Sequence, residues 1–170
     1  MRRTFEDHEH FCYHVPVPRL VEKAHKRLAK INCYKDLTEE KMDYQIGSSL
    51  IYSREVGNCY TAALYLAIIS LLDNTVKNLS DKLIGLYSYG SGCSGEYFSA
   101  RVVPGYQKMS NRIIHEELMT TRTELSYDEY LAFYNFKLPI DGSNFILPEY
   151  NTGKVKLVAI EQHKRIYELI

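Results

Sequence analysis

The sequence predicts an α/β fold built around a layered sheet. Helical and strand patterns alternate along the 170 residues, and one helix is apolar on nearly every face, as expected inside a layered domain. The length is typical of one domain, in which about two-thirds of the surface of the extended chain becomes buried on folding. We therefore expect residues 1–170 to form one domain.

Three helical stretches are predicted in the first half. Apolar residues recur at helical spacing from Pro18 to Ile31, and proline suits the first turn of a helix. A weaker stretch opens at "TEEK", residues 38–41. The apolar helix follows in "GNCYTAALYLAIISLLDN", with Asn58 placed as its N-cap.

The strands are predicted further along the chain. "KLIGLYSY" and "EYFSARVV" indicate a strand pair, and the glycines of the intervening "GSGCSG" fall at its turn. Ser126 and Glu129 form a capping-box pattern ahead of a short helix. A loop and the strand "KVKLVAI" come next, and we expect the closing "EQHKRIYELI" to be a charged tail.

Composition and charge argue against several classes of partner. The 21 basic residues balance the 21 acidic ones, so no net field favours nucleic acid or an anionic membrane. The longest apolar stretch, residues 62–72, is too short to span a bilayer, and the N-terminus lacks the apolar run of a signal peptide. The four cysteines are widely spaced, which favours a reducing compartment, and we expect a cytoplasmic protein.

A histidine and cysteine series near the N-terminus offers zinc-type ligands. His8, His10, Cys12 and His14 are spaced by two, so a strand would place all four on one face. Tetrahedral zinc sites seldom take four ligands from one straight strand, because the chain must fold back around the metal. We therefore expect no metal site.

His14 is the first candidate functional residue. "VPVP" follows it and fixes the backbone between a strand and the first helix, where an imidazole can reach a ligand; the alternative is a hydrogen-bonded structural histidine. Arg19 and Lys23 could bind a phosphate nearby, or could lie on a solvated face. Asn58 could cap its helix or donate to a substrate carbonyl. The bare backbone of "YGSG" would tolerate a closely packed ligand.

Five motifs in order resemble the C-terminal part of the 3-hydroxy-3-methylglutaryl-CoA (HMG-CoA) synthase family. They are "YHVPVPRLVEKAH", "VGNCYTAALYLAIISLL", "IGLYSYGSGCSGEYFSA", "LMTTRTELSYDEY" and "IEQHKRIYE". The resemblance extends from about Thr4 to Glu168. It implies a thiolase-like fold, in which two related α/β halves pack as a layered α-β-α-β-α sandwich.

The resemblance also implies a reaction. In that family a cysteine takes an acetyl group, a glutamate removes a proton from its methyl, and the carbanion attacks the ketone of an acetoacetyl thioester. The catalytic histidine matches His14, and residues that hold the thioester and its pantetheine-phosphate arm match Asn58, Ser91 and Lys23. Arg19 stands where the mevalonate enzymes usually have lysine. The implied substrates are CoA or phosphopantetheine thioesters, with no further cofactor.

The nucleophilic cysteine and the base glutamate belong to the N-terminal part of the family, and no residue of this chain matches them. The chain alone is therefore expected to be incomplete, with a complementing N-terminal half as a possible partner and a dimer as the default assembly. "GSGC", "AH" at residues 24–25 and Arg19 favour the branch that installs β-methyl groups on carrier-protein-bound polyketides. The alternatives are a mevalonate-pathway fragment and a non-catalytic remnant.

Overall fold

The computed structural model describes residues 3–90, 92–149 and 153–170. The chain forms two compact units, Met1–Arg122 and Thr123–Ile170. Their behaviour as one domain of residues 1–170 stays a prediction.

A three-stranded mixed sheet forms the centre of the first unit. Its strands are β1 (His10–Tyr13), β2 (Leu83–Gly90) and β3 (Ser94–Arg101). β1 pairs in parallel with β2, and β2 pairs antiparallel with β3. The predicted strand pair and turn are confirmed, because Gly90 pairs with Ser94 and Gly92 has a φ of 87°. Helices around this mixed sheet confirm the α/β class.

The α-helices of the first unit are α1 (Pro18–Ile31), α2 (Glu39–Met42), α3 (Ser48–Val56), α4 (Ala63–Asn74) and α5 (Arg112–Thr120). The Cys12 thiol lies 3.7 Å from the carbonyl oxygen of Ala67 on α4, and the Tyr13 hydroxyl lies 2.9 Å from Nδ1 of His25 on α1. Because successive strand residues point to opposite faces, α1 and α4 lie on opposite sides of β1.

The apolar helix is shorter and less buried than the sequence predicts. It begins at Ala63, after a single 3₁₀ turn at Tyr60–Ala62, and Asn58 lies ahead of that turn. The Asn58 side-chain oxygen accepts a hydrogen bond from the Tyr60 amide at 2.8 Å, so the prediction that it caps the α-helix is wrong. Tyr65 is 68% exposed, so α4 buries one side rather than all faces. Across the described residues no helix has both the length and the hydropathy that a bilayer span requires.

A π-helical segment, Asp43–Gly47, joins α2 to α3 and packs on β1, which is an edge strand of the sheet formed by the described residues. The Tyr44 ring lies 4.8 Å from that of His10, and the Gln45 side-chain oxygen lies 3.0 Å from Nε2 of His25. The sequence did not predict this segment or α3. A π turn inserts an extra residue into the helical repeat, so apolar positions no longer recur at the spacing by which a helix is recognised.

The second unit contains one helix and a small sheet. They are α6 (Tyr127–Asn135), β4 (Phe145–Ile146), β5 (Val155–Glu161) and β6 (Lys164–Leu169). The predicted capping box is confirmed, with hydrogen bonds linking Ser126 and Glu129 in both directions. The prediction of a charged tail is wrong, because β6 pairs antiparallel with β5 through a two-residue turn. Gln162 and His163 both have positive φ there, as a tight hairpin turn requires.

Two glycine–tyrosine pairs cross the β2–β3 hairpin. Tyr97 of β3 lies over Gly85 of β2, and Tyr87 of β2 lies over Gly95 of β3. A Cβ atom at Gly85 would contact the Tyr97 hydroxyl and lie 2.6 Å from a ring carbon of Phe11. The glycines therefore make room for tyrosine rings to cover the neighbouring strand.

We predict that Gly85→Ala lowers the free energy of unfolding by about 1–3 kcal/mol, because its methyl group overpacks against two aromatic rings. Gly90→Ala on the same strand is the control, since a Cβ there meets no atom within 4 Å. Urea unfolding followed by circular dichroism measures both. Equal losses of stability in the two variants would contradict this packing account.

A buried carboxylate connects α3, α4 and the start of α5. The Asp73 side chain is 3% exposed, and Ser110 donates to it at 2.6 Å and Tyr52 at 3.0 Å. Nδ1 of His115 lies 2.6 Å from the same carboxylate. Burial raises the pKa of Asp73, but hydrogen bonds from Ser110, His115 and Tyr52 outweigh burial and hold that pKa below its usual value.

Because its pKa is lower in the folded than in the unfolded chain, Asp73 stabilises the fold above the unfolded pKa of about 4. That contribution is lost as the pH falls through the lowered folded pKa. We predict that Asp73→Asn costs about 1–3 kcal/mol at neutral pH, and that its difference from wild type shrinks on acidification. Chemical unfolding across this pH range measures the difference, with the exposed Asp36→Asn as control. A difference independent of pH would contradict the account.

Candidate active site

A pocket of about 410 Å³ opens beside His14 on the α4 side of the sheet. The strand-derived part of its wall comes from β2, β3 and the end of β1, and the helical part comes from the start of α4. Its described lining residues are His14, Thr61, Tyr65, Ser88, Tyr89, Gly90, Ser94, Gly95 and Glu96. The pocket therefore joins the predicted histidine to the glycine-rich hairpin.

Strand pairing fixes the position of His14. Its backbone amide donates to the Tyr87 carbonyl at 2.8 Å, which extends the β1–β2 pairing one residue beyond Tyr13. Two residues later comes Pro16, and α1 begins at Pro18. The predicted junction between strand and helix is confirmed, and it leaves the half-buried His14 ring 6.0 Å from the ring of Tyr89.

The His14 ring differs in its hydrogen bonding from three of the other histidine rings of the first unit. The His10 ring also lacks a hydrogen-bond partner among the described residues, but it is buried against the ring of Tyr44. The rings of His8, His25 and His115 each lie within hydrogen-bonding distance of another side chain. None of the described side chains forms a hydrogen bond with the His14 ring. A half-buried imidazole on a pocket wall without such a partner can donate to, or accept from, a bound molecule.

The other predicted site residues are less closely grouped. Asn58 is absent from the described lining of the pocket, although it lies three residues before Thr61, which lines it. Arg19 and Lys23 are exposed on the first turns of α1 and form no ion pair with a described residue. Ser91 lies outside the described residues. The pocket thus contains His14 from the predicted set, and the roles of all five residues stay predictions.

The histidine and cysteine series near the N-terminus is not gathered around one point. His8 lies 2.7 Å from the Ser99 hydroxyl, whereas the Cys12 thiol faces the Ala67 carbonyl of α4. Within residues 3–90, 92–149 and 153–170, no three His, Cys, Asp or Glu side chains are grouped to hold a metal ion.

A family profile described as hydroxymethylglutaryl-coenzyme A synthase C terminal matches residues 30–140, which is more than half of the chain. The chain belongs to this family. The resemblance of the five motifs to HMG-CoA synthases is confirmed.

Two relatives show how much of a synthase the chain represents. An HMG-CoA synthase of Enterococcus faecalis is 40% identical over 137 residues, which cover 81% of this chain and 35% of that protein. A polyketide biosynthesis 3-hydroxy-3-methylglutaryl-ACP synthase of Bacillus subtilis is 30% identical over 151 residues, which cover 88% of this chain and 34% of that protein. The chain thus spans about a third of the length of these relatives.

A solved structure confirms the thiolase-like fold. The crystal structure of an HMG-CoA synthase complexed with CoA matches with a TM-score of 0.84 at 29% identity. The match covers 99% of this chain and 43% of that one.

None of the described residues that line the pocket of this HMG-CoA synthase family member is a cysteine. Cys12 is fully buried, and burial raises the pKa of its thiol. Cys93, in contrast, is exposed and has a φ of 58° at the hairpin turn. The pocket therefore supplies an imidazole but no thiol nucleophile from the described residues.

Sequence reasoning missed four residues of the pocket. Thr61, Tyr65, Ser88 and Glu96 line it, yet none was assigned a role, although all four lie within two of the five family motifs. Ser88 and Glu96 are direct partners across β2 and β3. The hairpin pattern could have paired them once the turn was placed, whereas their proximity to His14 depends on the parallel pairing of distant strands.

A larger pocket, of about 710 Å³, lies in the second unit between α6 and the loops around it. Its described lining is apolar except for Glu129, whose carboxylate already accepts hydrogen bonds from Ser126. This pocket offers packing surface but no free group for acid–base or nucleophilic chemistry. The smaller pocket at His14 is therefore the candidate active site.

Proposed function

We propose that this chain supplies the histidine-bearing part of the active site for an HMG synthase-type condensation of an acetyl group with an acetoacetyl thioester. The observation that carries the proposal is the His14 ring, which stands on the wall of a pocket edged by the glycine hairpin and has no hydrogen bond to a described side chain. Membership of the HMG-CoA synthase family supports the same chemistry.

In this reaction the His14 ring donates a hydrogen bond to the ketone oxygen of the acetoacetyl group. When the acetyl carbanion attacks that ketone, negative charge develops on the oxygen, and a donor already held in place stabilises it. The new carbon–carbon bond leaves a tertiary alkoxide, which is protonated to the hydroxyl. Hydrolysis of the acyl–cysteine thioester then frees the product.

The glycine hairpin suits the arm of the thioester. A Cβ atom at Gly90 would meet no atom within 4 Å, so open space adjoins the backbone where the residue lines the pocket. A slender acyl-pantetheine arm can lie along such a backbone without a side chain in the way. On the family resemblance, Ser91 and Asn58 also help to hold the acyl-thioester and its pantetheine arm.

The nucleophilic cysteine and the base glutamate would come from the N-terminal part of the family's fold. Exposed apolar side chains on α4, among them Tyr65 and Ile69, offer a surface on which such a partner could pack. The reaction uses the thioester itself as substrate and needs no further cofactor. A dimer remains our default assembly.

The carrier of the thioester is either CoA or an acyl carrier protein, and the observations point in different directions. The 40% identity to a bacterial HMG-CoA synthase, against 30% to the polyketide enzyme, supports CoA. Arg19 and the motif "GSGC" favour the carrier-protein branch. His25, the other feature of that branch, is a core residue contacting Tyr13 and Gln45, so it gives no information about the carrier.

We predict that the chain, mixed with a separately expressed N-terminal half of the Enterococcus faecalis synthase, consumes acetoacetyl thioester when an acetyl donor is present. His14→Ala should lower turnover about 10²- to 10³-fold, as expected for loss of an oxyanion donor. His163→Asn is the control, because asparagine tolerates the φ of 67° at that position. Parallel assays with the thioester on CoA and on carrier protein identify the carrier.

The C-terminal half of the same synthase serves as the positive control for this assay. If that half restores turnover and the folded chain does not, the proposed function is wrong and a non-catalytic remnant is favoured. Turnover that survives His14→Ala would instead contradict the catalytic role of His14.

A second prediction concerns the exposed cations of α1. Arg19→Gln combined with Lys23→Gln should weaken binding of the CoA or carrier-bound thioester about three- to twentyfold, because two cations that attract phosphate are lost. The matched control combines Arg27→Gln with Lys30→Gln, two exposed cations further along α1. Calorimetric titration at two salt concentrations measures both pairs, and equal weakening would contradict the assignment.

A further inference from the structure

We infer that Glu96 makes the His14 pocket reject acyl groups that carry a carboxylate, so that the site selects an acetoacetyl over a malonyl thioester. The inference rests on the proposed function and adds a residue that determines specificity. It starts from three side chains aligned across the sheet.

Three adjacent strands bring His14, Ser88 and Glu96 side by side. The His14 amide bonds to the carbonyl of Tyr87, which places His14 level with Ser88, and Ser88 pairs directly with Glu96. Tyr87 pairs with Tyr13, which faces α1, so the next residue, Ser88, faces α4. Strands lie about 4.8 Å apart, so the backbones of His14 and Glu96 are separated by about 10 Å.

All three side chains line the same pocket, together with Thr61 and Tyr65 of the α4 side. Two side chains as long as histidine and glutamate can approach one bound acyl group from either side of Ser88. The hydroxyl of Ser88 lies between them. An acyl group that reaches the His14 ring therefore comes close to the Glu96 carboxylate.

Glu96 is the single carboxylate among the described lining residues, and this lining contains no lysine or arginine. Glu96 is exposed and forms no ion pair with any described residue. Its charge therefore acts on whatever occupies the pocket and is not cancelled by a neighbouring cation of the described lining.

A histidine that donates to a ketone needs a nearby negative charge if the site is to reject a carboxylate in place of that ketone. Acetoacetyl and malonyl groups have nearly the same shape, because a methyl group in the first is replaced by a carboxylate oxygen in the second. A hydrogen-bond donor binds an anionic oxygen more strongly than a neutral one, so His14 alone would favour malonyl. The negative charge of Glu96, two strands away from His14, reverses this preference by repulsion, which is how many specific sites exclude a close analogue.

The test measures the dissociation constants of acetoacetyl-pantetheine and malonyl-pantetheine by NMR titration of the full chain. Pantetheine thioesters carry the arm common to CoA and carrier protein, so the result does not depend on the carrier. The measured quantity is the malonyl constant divided by the acetoacetyl constant. Wild type should give a ratio above one, and Glu96→Gln should lower that ratio about three- to tenfold.

Glu117→Gln, which removes an exposed carboxylate on α5, is the matched control and should keep the wild-type ratio. An unchanged ratio in Glu96→Gln, with acetoacetyl-pantetheine still bound at the pocket, would overturn the role of Glu96 alone. Failure of wild type to bind either thioester would overturn the proposed function, and this inference with it.

Discussion

The parallel pairing of β1 with β2 is the constraint on which the candidate site depends. One backbone hydrogen bond beyond the end of β1, from the His14 amide to the Tyr87 carbonyl, sets where the imidazole stands along the sheet. The same pairing places Ser88 beside it, and the hairpin then places Glu96 beside Ser88. A shift of one residue in the register of β1 would turn the His14 side chain toward α1 and leave the pocket without its imidazole.

The first unit supports this register by packing on both faces of β1. Tyr13 contacts His25 of α1 on one face, and Cys12 contacts Ala67 of α4 on the other. Gly85 and Gly95 admit two tyrosine rings across the hairpin, which pack β2 and β3 together on the α1 face of the sheet, opposite the pocket. The rigid sheet therefore provides the geometry, and the residues at its end provide the chemistry.

Local patterns in the sequence were enough to place His14 between a strand and a helix and to locate the hairpin turn and the capping box at Ser126, because each depends on residues close together in the chain. Family membership accounts for the thiolase-like fold, which no local pattern shows. Two kinds of feature escaped prediction. The π-helical segment disrupts the helical repeat, and the hairpin strand from Lys164 has charged and apolar residues that resemble a polar tail. The place of Glu96 depends on pairing between residues far apart in sequence, which composition and spacing do not reveal.

The central claim is that His14 binds the ketone of an acetoacetyl thioester. The most direct measurement is a crystal structure of the chain with a non-hydrolysable acetoacetyl-pantetheine analogue in which a methylene group replaces the sulfur. The account predicts the ketone oxygen within hydrogen-bonding distance of the His14 ring and the arm along Gly90. An analogue bound elsewhere on the chain, or bound in the pocket with the His14 ring bonded to a protein group instead, would contradict it.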